Sequence, residues 1–143
     1  MAELTDEEIR AEEKFLKGVP RLNVGAFVLA PVWGPVHGFW VTILFYPLWI
    51  FVDNAIYAAY ENPTVVSVGI AILMGVLIVA FSLAFSLVSQ PLALHKAVDA
   101  GKTKEEYLKR ERMWAVVCIV LAVAVIAFAS YYNLLIRPTL GEV

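Results

Sequence analysis

The chain has 143 residues, 61% of them apolar, with a mean hydropathy of +0.76 and a formal net charge of −2. Soluble domains are usually about 45–50% apolar, so this composition excludes an ordinary water-soluble globule, and the near-neutral charge argues against a nucleic-acid partner. The single cysteine, Cys118, excludes an internal disulfide and a cysteine-cluster metal site, and its place within an apolar run reads as a small buried hydrophobe.

Residues 1–21 carry six acids and four bases without an apolar core, so they read as a retained amphipathic lead-in helix rather than a secretory signal. Thr5-Asp6-Glu7-Glu8 has the spacing of a capping box, with Leu4 and Ile9 at the staple positions. Lys14 and Lys17 suit the helix C-terminus, and Gly18 and Pro20 stop it. Its alternatives are a docking helix for a partner and a solvated charged face.

Leu22 to Val52 is a run of 31 residues without a charged side chain. One crossing needs ~20 apolar residues, so the run is too long for a single plain span. Pro31, Gly34, Pro35 and Gly38 punctuate it, which predicts a short apolar arm within 22–38, a break, and a crossing from about 39 to 60. Trp33 and Trp40 are expected at headgroup level, with the arm interfacial or re-entrant, and Pro47 is expected to kink the first crossing. The second crossing is expected over about 64–90. Ser67, Ala71 and Gly75, and likewise Ser82, Ser86 and Gln90, recur at four-residue steps that suit helix packing or, alternatively, a permeation path.

Residues 91–112 form a basic loop, with helix continuing as far as Ala100, Gly101 as its C-terminal stop and a second capping box at Thr103 to Glu106. Glu105–Lys109 and Glu106–Arg110 are spaced as helical ion pairs. The third crossing follows over about 113–136, with Ala115, Ala122 and Ala129 as a small-residue face, and 137–143 as a tail.

Counted by segment, Lys and Arg number four before the arm, none in the turn after the first crossing, six over Lys96–Arg112 and one in the tail. Three crossings with a cytoplasmic N-terminus and an external C-terminus place every basic segment inside. Promoting the arm to a fourth crossing breaks that pattern. The fold class expected is therefore an all-α membrane protein with three transmembrane helices, an amphipathic N-terminal helix and a short arm.

Few residues suggest chemistry. Asp53 and Asn54 lie near the end of the first crossing, and an ionisable group in a span is a functional candidate, with no Lys or Arg expected beside it. His37 and His95 fall at one edge and are candidates to meet, and Asp99 lies one turn beyond His95 on the same helix face. Lys102, Lys104, Lys109, Arg110 and Arg112 are candidate contacts for anionic lipid headgroups, although orientation in the membrane requires the same charges.

Asn23-Val-Gly25-Ala26-Phe27, Pro31-Val-Trp33-Gly34 and His37-Gly38-Phe39-Trp40 together resemble the N-W-G-A-F…G-P-x-W…G-x-W signature of a domain-of-unknown-function family of small bacterial membrane proteins. Ala97 to Trp114, with Thr103, Glu105-Glu106-Tyr107 and Arg110-Glu111-Arg112-Met113-Trp114, is similar to its second signature, K/R-S/T-x-E-E-F-x-x-R-Q-x-x-W. Val24 departs from the usual aromatic, Ala30 from a frequent Gly and Glu111 from Gln. The resemblance implies a multi-pass protein of a bacterial cell membrane and no activity. The expectation is a non-enzymatic accessory, scaffold or interaction subunit without a cofactor, partnered by lipid and by another membrane protein or itself. The alternative is an oligomeric transport or channel component using the broken arm and Asp53.

Overall fold

The computed structural model describes residues 5–140. It is all-α among those residues, and three helical stretches are long and apolar enough to cross a membrane. The elements are α1 (Asp6–Leu16), α2 (Val24–Val36), a 3-10 segment (Trp40–Leu44), α3 (Phe45–Glu61), α4 (Val65–Asp99) and α5 (Lys104–Tyr131), with a π-helical turn (Tyr132–Ile136) and a last short helix α6 (Arg137–Leu140). The protein is thus an all-α, multi-pass type of membrane protein.

The local signals in the sequence set most helix ends. Thr5 and Thr103 each accept from the amide three residues on, while Glu8 and Glu106 reach back to the cap amide. The Thr5 amide and hydroxyl hold the Glu8 carboxyl below its ordinary pKa. The staple partner Leu4 lies outside the described residues. α4 closes with the Lys102 N–H on Ala97 O at 2.9 Å and the Gly101 N–H on Val98 O at 2.8 Å, with Gly101 at φ +80. That is a Schellman turn, and glycine supplies the left-handed residue at no steric cost.

The proline-rich stretch behaves differently from the expectation of a broken arm. α2 continues through Pro31 and Pro35, and the irregular residue is Leu29, at φ −146 and ψ 60. With the helix restarting after Leu29, Pro31 falls in a first turn, where its missing N–H costs nothing. The chain reverses only at Gly38, φ +78. Pro47 likewise lies in the first turn of α3 and makes no mid-span kink.

α2 buries Gly25, Ala26, Leu29, Ala30, Pro31, Trp33 and Gly34 against α5, the 3-10 segment and α4. Trp33 is fully buried within the protein, whereas Trp40 is 67% exposed. Cys118 is buried in the same core. Of the small-residue steps, Ser82, Ser86 and Gln90 are buried, but Gly75 has open space around it. Outside the core α3 packs along α4, α4 and α5 meet only sparingly, and most residues of all three spans keep part of their surface exposed.

Gly34 permits the closest approach in this core, because an added Cβ would lie 2.6 Å from Thr42 Cγ2 and 2.7 Å from Thr42 Cβ. Thr42 is fully buried and donates to Phe39 O, so it has little room to yield. Gly34→Ala is expected to destabilise the protein by about 1–3 kcal/mol in detergent unfolding. Gly75→Ala should be neutral or stabilising by up to ~1 kcal/mol through helix propensity.

Candidate functional site

A buried polar cluster joins α2, α4 and α5 where the apolar spans give way to the basic segment. Its hub is Glu111, 8% exposed, near the start of α5. Glu111 Oε2 accepts from Asn23 Nδ2 at 2.7 Å and from the Trp33 indole N–H at 2.9 Å. Asn23 also donates to Gln90 Oε1 at 2.7 Å, and Tyr107 donates its hydroxyl to the same oxygen at 3.2 Å.

Asn23 has three roles because of where it stands. As the N-cap of α2 it accepts the Ala26 N–H at 2.9 Å, its amide group binds α4 and α5, and its backbone carbonyl accepts from Ser86 Oγ at 2.7 Å. Both amide hydrogens and the side-chain oxygen are therefore used. Each bond to the carboxylate is charge-assisted and stronger than a neutral one.

His37 caps the far end of α2. Its Nδ1 lies 2.7 Å from Trp33 O, so that nitrogen carries a hydrogen. Its Nε2 faces Glu111 Oε1 at 2.7 Å, but off the axis of an aligned hydrogen bond, and neither atom has another partner. Trp33 stacks on the imidazole, with centroids 4.1 Å apart and planes 13° apart, and Trp114 meets it edge-on.

The two histidines do not meet. His95 is exposed, packs on Phe15 with centroids 4.3 Å apart, and contacts Glu12 at 2.9 Å rather than Asp99. Lys104 caps the end of α1 through Phe15 O and Lys17 O. These contacts hold α1 against the ends of α4 and α5. Asp99 is exposed at the last turn of α4. No group of three metal-ligating side chains occurs among the described residues.

A second polar cluster lies at the opposite ends of the spans. Asp53 accepts from Asn133 Nδ2 at 2.8 Å, and Arg137 donates to Asn133 at 3.2 Å and to Asn54 at 2.9 Å. The Arg137 guanidinium also lies over the Tyr57 ring, 3.9 Å from its centroid. Asp53 is thus not isolated. The expectation overlooked Arg137 because that residue follows the third apolar run in sequence, whereas in space it comes beside the end of the first.

Of the five cations expected at headgroups, Lys102 and Arg110 border a cavity beside Glu111, together with Lys96. Lys104 is engaged by α1, while Lys109 and Arg112 are exposed and do not line the cavity. Glu106 is held by the Thr103 amide, so it closes the capping box and leaves Arg110 without the expected partner. Asn23, Trp33, Tyr107 and Glu111 are not among the polar candidates that the sequence suggests. Their signal was position: a capping Asn at the start of an uncharged run, and an acid two residues before the next apolar run.

Comparison with protein-family models, curated proteins and solved structures gave no match. The chemistry of the site therefore rests on its own geometry. Residues from 23 to 37 and Glu111, far apart in sequence, come together in this cluster.

Glu111→Ala would leave the Asn23 and Trp33 donors unpaired in the core, and is expected to cost about 3–5 kcal/mol of stability. Trp33→Phe keeps most of the ring and removes one donor, so about 1–2 kcal/mol is expected. Chemical denaturation in detergent micelles, followed by circular dichroism, measures both.

Proposed function

We propose that this protein is a non-catalytic accessory or interaction subunit of a bacterial cell membrane, with its N-terminus cytoplasmic and its C-terminus external. The observation that carries the reading is the bareness of the spans: Val76, Ile72 and Val79 on α4 and Val116, Val120 and Val123 on α5 are each 55–63% exposed. Three helices that cover one another so little leave long apolar faces for lipid and for neighbouring helices. With no hydrophobic drive between helices in lipid, association depends on close packing, which Gly69 and Gly75 leave open on α4.

The polar residues support the same reading. The Glu111 cluster ties α2 to α4 and α5, and the Asp53 cluster ties α3 to the end of the last span. Both hold the architecture together. The orientation is supported by the basic residues, which gather at the Glu111 end.

A photo-reactive residue placed at Val76 or Val120 in native membranes is expected to give discrete adducts of fixed mass. Adducts to lipid alone at both positions would contradict the proposal. Orientation is tested in a Cys118→Ala background. A membrane-impermeant maleimide should label Thr139→Cys in intact cells and Asp6→Cys only after permeabilisation, and the reverse pattern would overturn the topology.

A further inference from the structure

The cavity beside Glu111 has no part in clasping the helices. It has a volume of about 170 Å³, against ~15 Å³ needed for one water. It lies between the end of α2, the last turns of α4 and the first turns of α5. α4 is apolar as far as Leu94 and α5 from Met113, so the opening falls at the level where lipid headgroups sit.

Three cations border it: Lys96, Lys102 and Arg110. Lys96 gives one hydrogen bond to Gly38 O at 3.2 Å and lies over the Phe39 ring, which leaves it two further donors. Among the described residues, Lys102 and Arg110 make no ion pair. The cavity wall also holds His37 and Glu111, whose side chains are only 7% and 9% exposed. Nε2 of the one and Oε1 of the other lack an aligned hydrogen-bond partner. Both atoms are enclosed by protein, so the permanent charges of the three cations set the preference of the cavity, which is for an anion.

We propose that this cavity binds an anionic phosphodiester headgroup. The phosphate oxygens lie among Lys96, Lys102 and Arg110. The headgroup comes from a membrane lipid or from its water-soluble, deacylated counterpart. The proposal requires membrane embedding but not the contact role proposed above, so the two can fail separately.

Native mass spectrometry of the full-length protein in neutral detergent tests it, with phosphatidylglycerol, phosphatidylcholine and glycerophosphoglycerol as probes. Lys102→Gln with Arg110→Gln is expected to weaken phosphatidylglycerol retention about thirtyfold, as loss of two charges facing an anion should. Lys109→Gln with Arg112→Gln removes the same charge outside the cavity and should change retention less than about threefold. Phosphatidylcholine, which has the same phosphodiester but no net negative charge, should be held about fivefold or more weakly. Glycerophosphoglycerol held as tightly as the lipid, with the same sensitivity to the first pair of substitutions, assigns the water-soluble source; weaker binding assigns the lipid. Equal losses for the two double variants, equal retention of the two lipids, or no retention of any probe would overturn the proposal.

Discussion

A carboxylate removed from water must have its hydrogen bonds supplied by the protein, and Glu111 imposes that constraint on this fold. An unpaired charge at that depth costs several kcal/mol, so its partners have to arrive together. They come from the start of α2 (Asn23), its middle (Trp33) and its end (His37), with Gln90 of α4 and Tyr107 of α5 joined to the same cluster. The rest of α2 follows from this requirement. Gly25 lets the Trp33 ring lie close, Gly34 lets Thr42 do the same, and the kink at Leu29 lets a proline-rich segment stay helical between them.

The architecture has two polar ends and an apolar middle. At one end α1 and α2 are fastened to α4 and α5 through Glu111, Lys104 and the His95–Glu12 contact. At the other, Arg137, Asn133, Asn54 and Asp53 fasten α3 to the last span. Between them the spans are held together by little beyond side-chain contact. An arrangement fixed at its ends and open along its length suits a protein that completes its packing with lipid or other helices.

Local rules were readable in the sequence wherever the chemistry was local. The capping boxes at Thr5 and Thr103, the Gly101 stop and three apolar stretches all depend on residues within a few positions of one another. Ser82, Ser86 and Gln90 were also legible as a packing face, because four-residue spacing marks one side of a helix. Less legible was whatever depended on long-range pairing. Trp33 has the composition of an interfacial residue and becomes a core residue only because Glu111, 78 positions away, accepts its N–H. Asp53 looked unpaired because Arg137 belongs to another element, and His37 and His95 share an edge yet face different partners. Pro31 and Pro35 looked like breaks because proline rules describe an ideal helix, whereas the kink at Leu29 moved Pro31 into a first turn.

The central claim is that Asn23 and Glu111 act as one unit holding α2 in place. A double-mutant cycle between Asn23→Ala and Glu111→Ala, measured by unfolding in detergent micelles, tests it most directly. The structure predicts a coupling energy of about 1.5–3 kcal/mol, the value of a hydrogen bond to a buried charge. Additivity of the two losses within ~0.5 kcal/mol would show that the residues do not meet, and would contradict the clasp on which the rest of this account depends.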